Sequence, residues 1–195
     1  MNKNYYTILI LLIINTPILA GEKRNYDFNE LSYGSSGSSL NHNRILTYNH
    51  SHSFSDRFYL TAGLTQSSSS NVVDPSFFTK AEIGFGSHKQ ITDITDIYLE
   101  FSYSNYWLHN LENKLAIISM KSGSITDISN NIQLITEVSF NKFLQKNNND
   151  LTYFNRRPKD IEFEISGLFE LKNKNQFILG ASSNKGFPYF GFKFK

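Results

Sequence analysis

The run His50-Ser51-His52-Ser53 holds the residue types of a serine hydrolase and, in its two histidines, those of a metal clip. On an extended strand, neighbours point to opposite faces and residues two apart share one. His50 and His52 therefore stand together and Ser51 and Ser53 stand together behind them, so no His lies beside a Ser. With no Cys and no third His nearby, the two histidines are too few for a zinc site, and a polar rim is the plainer role. Glu82 and Glu100 are the carboxylates whose spacing suggests acid–base work. Carboxylates side by side share a proton, which is how a general acid or proton site arises. A reversal centred on Ile91 sets them opposite each other, and a slip of register sets Gly84 opposite Glu100 instead. The plainer role is a charge paired with Lys80, Arg57 or water. His109, Glu112, Asp150, Arg156 and Arg157 are polar candidates in connecting segments, without a hydrolytic motif among them. There is no phosphate loop or dinucleotide fingerprint. The absence of Cys removes disulfides, thiolate metal sites and cysteine nucleophiles. The reading is a chain with no catalytic residue, no cofactor and no metal.

The elements that carry these residues repeat with period two. Ile97, Leu99, Phe101 and Tyr103 alternate with Tyr98, Glu100, Ser102 and Ser104. Ile132, Leu134, Thr136, Val138 and Phe140 alternate with Gln133, Ile135, Glu137, Ser139 and Asn141. Ile161, Phe163, Ile165 and Phe169 alternate with Glu162, Glu164, Ser166 and Leu168. This is the pattern of strands with one apolar face. Strands are expected over 25–34, 40–54, 57–67, 76–89, 95–107, 112–125, 130–144, 159–171, 175–184 and 187–195. Connections alternate between short turns and longer polar loops, the longest spanning Gln145 to Pro158. With 17 Phe and 11 Tyr the chain is too aromatic for bulk disorder. A net charge of +2 excludes nucleic-acid binding driven by bulk charge.

Residues 1–20 are set apart: Lys3, an apolar run from Ile8 to Ile14, then Pro17 and Ala20. This is the layout of a secretory signal peptide cleaved after Ala20, which leaves residues 21–195 as the folded domain. Short turns on one side and long loops on the other is the pattern of a closed antiparallel transmembrane β-barrel, here of about ten strands, with eight as the alternative. In such a barrel the apolar face meets lipid and the polar face lines the lumen. The expected lumen charges are Arg57, Lys80, Glu82, Glu100, Glu137, Glu162 and Glu164, with the bulky Tyr59, Phe78, Tyr98, Tyr106, Ile135 and Leu168 beside them. Gly84 and Gly86 open space that Tyr98 is placed to fill, depending on register. The expected aromatic girdles are Phe77, Trp107 and Phe143 at the loop side and Phe58, Phe169 and Phe177 at the turn side. In the second strand, a Ser55-Asp56-Arg57 turn sets Phe54 opposite Phe58 on the lipid side; a turn of Ser55-Asp56 alone sends Arg44, His50 and His52 to the lumen. Leu46, Tyr48 and Phe54 favour the first.

The stretch from Ala81 through Asp93 into Asp96–Tyr103 resembles the central hairpin of small outer-membrane barrels of the OmpA/opacity type, and Tyr189–Phe194 is similar to their last strand. The resemblance implies the outer membrane of a Gram-negative bacterium, with outer-membrane lipid, lipopolysaccharide and the outer-membrane assembly machinery as partners. It implies that Phe194 is the terminal aromatic read during assembly, displaced by one because Lys195 follows it. Arg156-Arg157-Pro158-Lys159 then has phosphates of lipopolysaccharide within its chemistry. The function read from this is a non-enzymatic structural or surface-presenting, adhesive barrel; the alternatives are a narrow cation-preferring channel or porin and a barrel-bound hydrolase. A cysteine at Asn148 in this Cys-free chain is expected to label on intact cells, and one at Asn173 only after the outer membrane is permeabilised. The reverse pattern would invert the topology.

Overall fold

The computed structural model describes residues 26–36, 43–69, 78–108, 114–144, 160–183 and 186–194. Ten strands take up nearly all of them: β1 (Phe28–Ser36), β2 (Asn43–Ser53), β3 (Phe58–Ser69), β4 (Phe78–Thr92), β5 (Thr95–Leu108), β6 (Lys114–Ser129), β7 (Ile132–Phe143), β8 (Ile161–Glu170), β9 (Gln176–Ser182) and β10 (Gly186–Phe194). Each strand pairs with its neighbours in sequence, and β1 pairs with β10, so the sheet closes on itself as a barrel. All pairings are antiparallel, from Asn29 opposite Phe194 at the seam to Thr95 opposite Thr126 between β5 and β6. The ten-stranded barrel expected from the alternation is the observed fold, and the eight-stranded alternative is set aside.

Two strands run further than their composition suggests. β4 continues to Thr92 because an irregularity between Gln90 and Thr92 lets the ladder pass over Ile91. β6 continues to Ser129 because Thr126, Asp127 and Ser129 still find partners in β7, the ladder passing over Ile128 and leaving Asn130-Asn131 as the turn. Between β2 and β3 the turn is Ser55-Asp56-Arg57: the Phe54 amide donates to the Phe58 carbonyl at 3.2 Å, and Ser53 stands opposite Tyr59. The Ser55 hydroxyl accepts from the amides of Arg57 and Phe58, which pins the reversal.

The alternation sorts the side chains by face. Leu60, Leu64, Ile83, Phe85, Phe101, Ile118, Phe140, Phe163, Ile165, Leu179, Phe190 and Phe192 all stand exposed on the outer wall. Tyr59, Tyr98, Tyr106, Leu115, Ile117, Leu168, Ile178 and Tyr189 are buried inside. A continuous apolar wall of this kind far exceeds the patches that water-soluble monomers expose. A bilayer is the solvent it fits, and a closed sheet with no free edge is one of the two backbone arrangements lipid tolerates. Phe101→Arg is expected to destabilise folding into lipid vesicles by about 2–4 kcal/mol, while Phe101→Leu costs far less. Urea titration followed by the fluorescence of the single Trp would measure both. Equal small costs would place that wall in water.

Candidate functional site

The interior is the place where this chain gathers its charged and hydroxyl-bearing side chains. β4 sends in Lys80 and Glu82, β5 Glu100, β6 Lys121, β7 Glu137, and β8 Glu162 and Glu164. Lys121 is opposite Glu100 in the ladder. Its ammonium lies 3.0 Å from Glu100 Oε1 and 2.5 Å from Glu82 Oε1, and Lys80 lies 2.6 Å from Glu82 Oε2. Glu82 and Glu100 therefore do not face each other. Glu82 stands opposite Ser104 and Glu100 opposite Gly86, because the chain reverses at Asp93-Ile94 rather than at Ile91. The two carboxylates instead share one ammonium, which is not the arrangement of a proton-sharing pair.

A second carboxylate pair does stand face to face. Glu137 is opposite Glu164 across β7 and β8. Each accepts from a tyrosine: the Tyr98 hydroxyl donates to Glu137 Oε2 at 2.7 Å, and the Tyr189 hydroxyl donates to Glu164 Oε1 at 2.5 Å. Ser139 adds a bond to Glu137 Oε1 at 3.1 Å. Around these groups lies a cavity of about 200 Å³, lined among others by Lys80, Glu82, Glu100, Lys121, Glu137 and Glu164.

Three tyrosines cross the interior, and each has a glycine as its ladder partner: Tyr59 and Gly86, Tyr98 and Gly123, Tyr189 and Gly180. A Cβ on any of these glycines would collide with its tyrosine ring. The missing side chain lets the ring lie close against the wall, a cross-strand pairing known to stabilise glycine in sheets. Gly86 is thus filled by Tyr59, and Glu100 presses on Gly84; Tyr98 fills the space over Gly123 rather than over Gly84 or Gly86.

Apolar clusters flank the charged zone on both sides. Toward the loops, Tyr106, Leu115 and Ile117 are buried together, with Phe78 and Phe143 packed against them. Toward the turns, Tyr26, Tyr59, Tyr98 and Ile125 are buried together with Ile135 beside them. Tyr26 precedes β1, yet its ring stacks on Tyr59 at 4.7 Å and on His88 at 4.0 Å, and its hydroxyl donates to Asp96 Oδ2 at 3.4 Å. His88 Nδ1 lies 3.0 Å from the same Asp96 oxygen, and both side chains are almost wholly buried. A third cluster of Leu168, Ile178 and Tyr189 fills the wall between.

The structure places Lys80, Glu82, Glu100, Glu137, Glu162 and Glu164 on the interior wall. Arg57 is not among them: it ends the exposed Ser55-Asp56-Arg57 turn, before the inward register of β3 begins. Phe58 lies on the outer wall beside Phe54 and Phe85, and Phe169 lies there against Phe177, which meets Phe192. Trp107 shares the outward register of Phe101 and Tyr103. Phe143 does not belong to a girdle. β7 runs without a break from Glu137 to Phe143, so Phe143 keeps the inward register and packs on the Tyr106 cluster. Phe194 ends β10 opposite Asn29, on the outer face. Phe77, His109, Glu112, Asp150, Arg156, Arg157 and Lys195 lie outside the described residues, as does the 1–20 segment. His50 and His52 face outward with separate partners: His50 Nδ1 is 3.0 Å from Asn29 Oδ1, and His52 Nδ1 is 3.1 Å from Asp27 Oδ1. Among the described residues, no three His, Cys, Asp or Glu side chains gather in a metal-holding group. Lys121, Tyr26, His88, Asp96, Glu30 and Lys193 are among the interior residues that sequence reasoning missed. Lys121 follows Leu115, Ile117 and Ser119 at period two, and that alternation is the signal that would have found it.

The chain matches no family model and no curated protein. Among solved structures it is similar to the translocator domain of the autotransporter NalP from Neisseria meningitidis, at 8% identity and a TM-score of 0.41, over 97% of this chain and 91% of that one. It is also similar to the KdgM porin solved in complex with disordered oligogalacturonate, at 10% identity and a TM-score of 0.40, over 86% of this chain and 95% of that one.

Replacing Lys121 leaves Glu82 and Glu100 close together with one ammonium fewer. Lys121→Met is expected to destabilise the barrel by about 3 kcal/mol, the low end for a broken buried pair because the cavity has room for water. Adding Glu100→Gln to Lys121→Met is expected to restore part of that loss, read from the same urea titrations. Additive losses would mean that the bridge carries no coupling.

Proposed function

We propose that this protein is an integral outer-membrane β-barrel of the small opacity-like kind, non-enzymatic, whose filled barrel supports surface loops rather than conducting solutes. The observation that carries this reading is the interior itself. The Tyr26 cluster fills part of it at the turn side and the Tyr106 cluster part of it at the loop side. Between them the Lys80–Glu82–Lys121–Glu100 bridge spans β4 to β6. A ten-strand barrel has little cross-section to spare once such side chains are in place. The apolar outer wall supports membrane embedding, and outer-membrane lipid and lipopolysaccharide are then its surroundings. Export through a signal peptide cleaved after Ala20 and recognition of Phe194 by the assembly machinery complete the proposal.

The second reading is a narrow cation path. It draws on the acidic excess of the cavity wall, where Glu30, Glu137, Glu162 and Glu164 add to Glu82 and Glu100 against Lys80, Lys121 and Lys193. Rings of acidic side chains favour cations. Hydrolysis has less support: the buried His88–Asp96 pair has the rings of Tyr26 and Tyr59 packed on His88. Purified protein in planar bilayers is expected to carry no steady current. A small cation-selective current would favour the channel reading, and a large anion-selective one would overturn the assignment of the acidic wall to the lumen.

A further inference from the structure

The residues that close the turn-side end of the cavity differ in how they are held. Tyr59, Tyr98, Ile125 and Ile135 belong to β3, β5, β6 and β7, so each is fixed by a ladder on both sides. Tyr26 belongs to no strand. It is nonetheless only 5% exposed, because its ring is inserted among those side chains. Its restraints come from a short chain of contacts. The ring stacks on Tyr59 and His88 and meets Tyr98 edge-on at 6.5 Å. The hydroxyl reaches Asp96 only at 3.4 Å. The Tyr26 amide donates to Ser53 Oγ at 3.1 Å, and the next residue, Asp27, accepts from the Ser53 amide at 2.6 Å and lies 3.1 Å from His52 Nδ1. His52 and Asp27 are substantially exposed, so their pairing is weak.

We infer that Tyr26 is a removable stopper that seals the charged cavity at the turn-side end of the barrel. Withdrawing it breaks no pairing of the barrel ladder. It costs contacts outside the ladder, among them the ring stacks, the hydroxyl's bond to Asp96 and the bonds of Tyr26 and Asp27 to Ser53, and such local openings lie far below global unfolding in free energy. Behind the ring is the cavity whose wall carries Glu100, Lys121, Glu137 and Ser139. With Tyr26 out, small water-soluble cations reach that wall from the turn side. Opening this end leaves the Tyr106 cluster on the loop side in place.

The test uses the absence of cysteine. Ser139→Cys is placed on the cavity wall of the full chain in bilayer nanodiscs, where both barrel ends meet solvent, and is labelled with a small cationic methanethiosulfonate. With Tyr26 present the reaction is expected to be slow. Tyr26→Ala is expected to speed it by at least about tenfold, because labelling tracks the open population, while Tyr26→Phe keeps the stacking and the protection. Asp27→Ala loosens the latch from outside the interior and is expected to act in the same direction, which keeps the test decisive if Tyr26→Ala does not fold. Labelling that is fast in the parent, or slow in both Tyr26→Ala and Asp27→Ala, overturns the stopper. The readout needs no current, so its failure is distinguishable from failure of the non-conducting reading.

Discussion

Closure of β1 on β10 is the constraint from which the other features follow. A sheet in lipid must satisfy every backbone amide and carbonyl within itself, and only a closed ring of strands does so. Antiparallel pairing all the way round this chain meets that condition. Closure at ten strands fixes the radius, and the radius fixes how much material the interior must hold. Alternation then delivers one residue in two from every strand to that interior, whether the residue is apolar or charged. Leu115, Ile117, Leu168 and Ile178 are sent inward by the same rule that sends Glu82 and Glu100 there.

Carboxylates delivered to a narrow space need partners, and the chain supplies them in two ways. Glu82 and Glu100 receive ammonium groups from Lys80 and Lys121. Glu137 and Glu164 receive hydroxyl donors from Tyr98 and Tyr189 instead. Charge-assisted hydrogen bonds of that kind are stronger than neutral ones and place no second charge in the interior. The tyrosines reach these carboxylates because their rings lie over Gly123 and Gly180, where a side chain on the wall would have pushed them aside. Glycine, aromatic ring and carboxylate form one device, used twice, that fills the interior and solvates its charge together.

The strands were legible in the sequence because period two is strong wherever a wall is apolar on one face and polar on the other. β5, β7 and β8 have that contrast, and their faces are assigned correctly down to Leu168. β6 lacks it: Ser119, Ser122 and Ser124 blur the two faces, and Lys121 is hidden among them. Composition also misleads at strand ends. Phe143 looks like a girdle residue by type and position, but parity carried along an unbroken strand governs its direction, not its affinity for an interface. Register between strands was harder still. The opposition of Glu82 and Glu100 requires a reversal centred on Ile91, and the chain reverses at Asp93-Ile94 instead, which slides every residue of β4 along β5.

Tyr26 was invisible for a different reason. Its sequence position puts it at the head of the strand expected over 25–34, but β1 begins only at Phe28, so no ladder places it. Residues as distant as His88 and Asp96 hold it, and they come together only after β3, β4 and β5 have paired. The hole it fills is therefore a product of the closed barrel, and the ring can enter only once that hole exists. An element that docks last onto a completed scaffold, through contacts the scaffold does not need for its own pairing, is also one that can leave without unmaking it. The ladders resist lateral opening strand by strand, whereas the turn-side end is guarded by one ring and its short latch. In the two apolar clusters that flank the charged zone, Tyr26 is the member held outside a strand, whereas every member of the loop-side cluster is built into one.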